Sequence, residues 1–70
     1  MGNYRTLKAG EARKLIGQRV TWIDEADVVN GYVNPAPRFG TLTDVRGKNA
    51  EVCGDWLWLP KLLGLRSVKS

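Results

Sequence analysis

The stretch Gly54-Asp55-Trp56-Leu57-Trp58-Leu59-Pro60 constrains this chain more than any other. Two tryptophans alternate strictly with two leucines, and a proline closes the run. Alternation at a period of two is the signature of a strand whose side chains point to opposite faces. One face carries Trp56 and Trp58, the other Leu57 and Leu59. A chain of 70 residues buries too little surface to cover both faces completely. Large aromatics in small domains mostly end up buried, so at least one of Trp56 and Trp58 is expected in the core, beside Trp22. A tryptophan left outside is an interface anchor or a stacking platform for bases.

The hydrophobic period changes along the chain. Residues 6–16 read as a short helix: Thr6 is a capping hydroxyl, Leu7, Ala12, Leu15 and Ile16 lie near one face, and Gly17 is a stop. From Gln18 the period is two. Arg19-Val20-Thr21-Trp22-Ile23, rich in β-branched and aromatic residues, reads as a first strand. A second strand is expected over residues 39–45, a tight turn at Arg46-Gly47-Lys48-Asn49, and a third strand over 50–53. A turn at Gly54-Asp55 leads to a fourth strand over 56–59. One helical turn over 60–64 and a short fifth strand over 65–68 complete the pattern. Residues 1–70 form a single domain.

Between the first two strands lies a long excursion from Asp24 to Arg38. Its middle, Val28-Val29-Asn30-Gly31-Tyr32-Val33, is nearly symmetric about Asn-Gly, the strongest short hairpin signal. A small hairpin arm is expected there, closed by Asn34-Pro35-Ala36-Pro37, whose prolines cannot donate to a ladder. A lone hairpin is barely stable in water, so the valines are expected to fold back over the end of the core. Tyr32 is expected to stay exposed as a docking residue, because binding residues concentrate on loops held by a rigid scaffold.

Composition excludes several function classes. There is no histidine and only one cysteine, Cys53. A Cys–His nucleophile and the usual zinc sites therefore cannot form, and the lone thiol suits a reducing compartment, hence a cytoplasmic expectation. No phosphate-cradling glycine loop with lysine and no spaced carboxylate pair is present, so no enzyme, no cofactor and no small-molecule substrate are expected. The acidic cluster Asp24, Glu25 and Asp27 lacks the further spaced oxygen ligands of a cation site; pairing with nearby arginines is expected instead. No run reaches the length of a membrane span. Met1-Gly2-Asn3-Tyr4-Arg5-Thr6 matches the short N-myristoylation pattern, which recurs by chance.

The order of strand, long arm, three-stranded meander, helical turn and final strand resembles the SH3-like small barrel over residues 18–68. Gly40-Thr41-Leu42-Thr43-Asp44-Val45 followed by Ala50-Glu51-Val52 is similar to the glycine-led hairpin of KOW-type domains, which often bind RNA, ribosomes or polymerase. The acidic arm, followed later by tryptophan and Pro60, looks like peptide-binding SH3 domains. Val20-Thr21-Trp22-Ile23 stands where those domains carry a tyrosine-rich motif, and Leu62 or Leu63 stands where they carry a tyrosine, which points away from proline-rich ligands. The resemblance implies a mainly β fold, a small SH3-like five-stranded barrel preceded by a short N-terminal α-helix, and a binding module.

The expected activity is non-catalytic binding: a small accessory protein docking on a larger protein partner, of the kind phages and mobile elements encode. The net charge of +4 comes from 11 basic and seven acidic residues, with the basic excess near the ends and three of the acids clustered in the arm. Such a divided surface suits a protein face. Its candidate residues are Tyr32, Trp56, Trp58, Asp24, Glu25 and Asp27. The alternative is RNA or DNA binding through Arg46, Lys48, Arg38 and Lys61 with an aromatic platform. Basic hairpin tips reach phosphate backbones, and Arg-Gly-Lys-Asn is equally ordinary turn chemistry.

Overall fold

The structure, a computed structural model, describes residues 5–68; the match around Gly2 lies outside them. Helix α1 spans Ala9–Arg13, shorter than the pattern predicts. Lys8 rather than Thr6 stands at its N-cap, and the Lys8 N–H donates to the Glu11 carboxylate at 3.3 Å. A turn over 14–17 ends on Gly17 in the left-handed region. Ala12 is fully buried and Leu7, Ala9 and Leu15 pack against the core. Ile16 is exposed, because the helical period has already stopped before it. Gly17 donates to the Leu42 carbonyl at 2.7 Å and Leu42 donates back to Gln18 at 3.0 Å, which ties this junction to the sheet.

Five strands form one antiparallel sheet: β1 (Arg19–Asp24), β2 (Arg38–Arg46), β3 (Asn49–Val52), β4 (Asp55–Trp58) and β5 (Leu62–Ser67), in the order β4-β3-β2-β1-β5. The fold is mainly β with a short helix at its N-terminal end, and it is compatible with a small barrel. Strand β2 serves two halves. Residues 38–41 pair with β1, and residues 42–46 pair with β3. A register shift between Leu42 and Asp44 lets both Leu42 and Val45 face inward although they are three residues apart. A second shift in β1 lies between Thr21 and Ile23. There Val20, Thr21 and Trp22 are all buried, and the Thr21 hydroxyl is satisfied by donating to the Arg38 carbonyl at 3.0 Å.

The expected hairpin at Asn30-Gly31 is not formed. The segment is helix α2, Glu25–Val29. Asp24 caps it, accepting from the Ala26 N–H at 2.9 Å, and Glu25 and Asp27 sit in the first turn, where carboxylates oppose the helix dipole favourably. Asn30 is the C-cap and Gly31 follows at φ +80°. Asn-Gly is thus read as a helix stop, which needs the same positive φ as a hairpin turn. The valines do not seal the core: Val28 is half-buried, and Val29 and Val33 are exposed.

The remaining turns are two-residue loops. Gly47-Lys48 joins Arg46 to its partner Asn49, with glycine first at φ +56°. Cys53-Gly54 joins Val52 to Asp55, with both residues at positive φ, +52° and +83°, the type I′ pattern. Cys53 is therefore a turn residue and not a strand residue, and β4 starts one residue earlier than expected. After β4, a 3-10 turn covers Leu59–Lys61. Leu62 and Leu63 are already in β5, opposite Asp24 and Ile23, where a helical turn was expected. The core joins Trp22, Leu42, Val45, Val52, Leu59, Leu62 and Leu65. The Trp22 indole N–H is buried there without a partner among the described residues.

Candidate functional site

The alternation in β4 resolves in favour of the leucines. Leu59 is buried and Leu57 is half-buried, while Trp56 and Trp58 are 46% and 48% exposed. The expectation that at least one of this pair is buried is corrected. Trp22, at 5% exposure, already fills the core beside Leu42 and Val52. The volume left in so small a core takes aliphatic side chains.

The outer face of β2, β3 and β4 brings together residues that lie apart in the chain. Trp58 stands opposite Asn49 and Trp56 opposite Glu51; Asn49 and Glu51 in turn face Arg46 and Asp44. The Arg46 guanidinium lies 5.7 Å from the Trp56 ring centre and its Nε donates to Asp44 at 3.1 Å. That geometry is a cation–π stack held in place by a carboxylate. The Thr43 hydroxyl donates to the Glu51 carboxylate at 2.8 Å. Lys48 sits at the tip of the β2–β3 loop beside Asn49, and Lys61 follows β4 in the 3-10 turn. The alternation predicts that the tryptophans share a face. The partners Asp44, Asn49 and Glu51 were not legible, because β3–β4 register depends on where the Cys53-Gly54 loop begins.

The acidic arm is elsewhere and already engaged. Arg38 approaches Asp24 at 3.9 Å and Asp27 at 3.4 Å. Asp24 also caps α2. Arg38, a candidate phosphate contact, is thereby neutralised by two candidate protein-binding acids. Glu25 is half-buried beside them. Tyr32 is 63% exposed and lines a shallow groove with Asp27, Val33 and Pro35. It belongs to the arm, separate in the fold from the tryptophan face. A further exposed aromatic, Phe39, lies under Arg19 at 5.8 Å; its position at the start of β2 predicts no such exposure.

Among the described residues, no group of three His, Cys, Asp and Glu side chains is placed to hold a metal ion. No described helix is long and apolar enough to cross a membrane. Comparison of the chain with known protein families, with characterised proteins and with solved structures finds no match.

Proposed function

We propose that this protein is a non-catalytic binding module with an SH3-like barrel that recognises a protein partner through the outer face of β3 and β4. The observation that carries the reading is the pair Trp56 and Trp58, held outward on an edge strand with Arg46 stacked against Trp56. Tryptophan and arginine are the residue types that dominate binding energy at protein interfaces. The strand order, the long excursion between β1 and β2, and the 3-10 turn before β5 support the SH3-like assignment.

Nucleic-acid binding is the second reading, favoured by the closeness of Arg46 and Lys48 to two exposed aromatics. Charge argues for the protein. Asp44 and Glu51 lie on the same face, and Arg46 is already paired. A phosphate track across this face meets two carboxylates.

The test is capture of partners from the source cell by the wild-type chain and by a Trp56→Ala, Trp58→Ala variant whose fold is checked by amide spectra. The expected result is a defined protein retained by the former and lost by the latter. Retention of the same proteins by both removes the tryptophan face from the function. Binding of labelled RNA or DNA that weakens steeply with salt establishes the second reading instead.

A further inference from the structure

Strand β4 ends the sheet, and its main chain defines an open edge. The Leu59 N–H donates to the Lys48 carbonyl at 2.7 Å, and Leu59 and Lys48 continue the register of Trp58 with Asn49 and Leu57 with Ala50. In an antiparallel ladder, bonded and non-bonded residues alternate. Leu57 and Asp55 therefore bond to β3, and the N–H and C=O groups of Trp56 and Trp58 point outward, away from the sheet. Neither N–H takes part in the turn and loop hydrogen bonds of the described residues. The other end of the sheet differs. On β5, the Gly64 N–H donates to the Arg5 carbonyl at 2.7 Å, so the N-terminal segment meets that edge at Gly64, in the middle of the strand.

We infer that the β4 edge pairs with the β4 edge of a second copy of this chain, antiparallel about a two-fold axis at Leu57. With Arg5 bonded at the middle of β5, a strand stacked head-to-tail along β5 would have to displace that bond. One open edge per chain closes as an isologous dimer. In this register Trp56 faces Trp58 of the other copy, and the reverse. Four main-chain hydrogen bonds form between them, and the four indoles align on one face as cross-strand aromatic pairs.

The flanks agree in sign. Asp55 precedes the edge and Lys61 follows it, and neither makes an ion pair among the described residues. Antiparallel pairing brings Asp55 of each chain toward Lys61 of the other, whereas parallel pairing aligns like charges. Pro60, which has no N–H, stands where the next outward donor would lie, so the pairing stops after Trp58. An edge this short makes a weak dimer that dissociates on dilution. The inference is independent of the tryptophan face as a partner site, because it uses main-chain groups.

The experiment is sedimentation equilibrium or light scattering from micromolar to millimolar concentration. The expected mass rises to that of two chains; a mass of one chain throughout overturns the inference. Trp58 has φ −87°, close to what proline adopts, and its N–H is not used by β3. Trp58→Pro therefore removes an outward donor without breaking an internal bond, and a monomer with an intact β3–β4 ladder is expected. A dimer that persists in that variant overturns the edge assignment. Should Trp58→Pro not fold, the charges decide. Asp55→Lys is expected to weaken association about tenfold, and adding Lys61→Asp to it is expected to restore it. Association unchanged by the first substitution, or not restored by the second, overturns the register. Loss of partner capture with the dimer intact bears on the proposed function alone.

Discussion

Gly40→Ala tests how tightly the two halves of the sheet are joined. Gly40 sits on β2 opposite Val20, where the strand passes from its β1 pairing to its β3 pairing. Its φ lies outside the left-handed region, so alanine is allowed by the backbone and only contacts oppose it. A Cβ there overlaps Val52 Cγ1 outright and meets Cys53 Sγ at 3.0 Å and the tip of the Trp22 ring at 3.7 Å. Val52 is buried and β-branched, so it has little rotamer freedom with which to yield. Overpacking of this kind costs about 1–3 kcal/mol, reduced by roughly 0.4–1 kcal/mol because alanine restricts the unfolded chain. At ~4–8 °C per kcal/mol for a domain of this size, the melting temperature should fall by about 5–15 °C in a calorimetric or dichroism scan. The control is Val52→Ala, which removes the opposing methyl at its own cavity cost. The double variant should be less destabilised than the sum of the two, with a coupling of about 1 kcal/mol or more. Additive effects, or a Gly40→Ala variant that melts with the wild type, would refute the packing argument.

Three further outcomes follow from single features. Cys53 holds a positive φ that costs about 1 kcal/mol in a residue with a Cβ. Cys53→Asn, which completes the Asn-Gly preference of a type I′ loop, should raise stability by roughly 0.5–1 kcal/mol in urea titration. Asp24→Ala should cost about 1 kcal/mol through the lost cap of α2, whereas Asp24→Asn should retain most of that stability, because the amide oxygen still accepts from Ala26 while the Arg38 pair is worth little at the surface. Tyr32→Ala should leave the melting temperature within about 2 °C of the wild type, as befits an exposed residue; a larger fall would make Tyr32 a packing residue.

The sheet was legible in the sequence where two independent signals coincide. Strand β1 is marked by β-branched and aromatic residues together with the change of period at Gln18. The β2–β3 loop is marked by Gly47 between two alternating runs, and β4 by its own alternation. Boundaries drifted where one residue type serves two geometries. Gly54 ends a turn as readily as it begins one, so the sequence pattern places the Cys53-Gly54 loop one residue late. Helix α1 was overextended because Leu15 and Ile16 keep the helical spacing after the helix has stopped. The register shift at Leu42–Asp44 leaves no pattern at all, since Thr43 and Asp44 are ordinary strand-edge residues. The two arrangements of Asn30-Gly31 illustrate the same limit. A hairpin and a helix C-terminus both ask for a flexible residue at positive φ. What separates them is upstream: Asp24 two residues before Ala26, with acids in the first turn, is an N-terminal helix signal. That signal is present in the sequence, but the same three acids also fit a plain charge cluster.

Core volume explains why the tryptophans lie outside. Burial of aromatics is a tendency of chains that have volume to offer them. Here Trp22 already takes that volume, and Gly40, having no side chain, leaves room beside it for Val52. Beneath β4, the residue opposite Leu57 is Ala50, which is itself fully buried. The inward positions of β4 therefore take leucine, and the indoles fall to the outer face. Once outside, they are costly surface for a monomer and useful surface for an interface. Arg46 partly covers one of them, and the main chain that carries them is the open edge. Side-chain anchors and main-chain donors thus share two residues, Trp56 and Trp58, so partner recognition through the face and pairing through the edge can be separated by Trp58→Ala and Trp58→Pro. The first removes an anchor and keeps the N–H; the second removes both. A partner whose binding falls equally in the two variants uses the indole alone. A further loss in the proline variant requires the main-chain edge, or the dimer built on it.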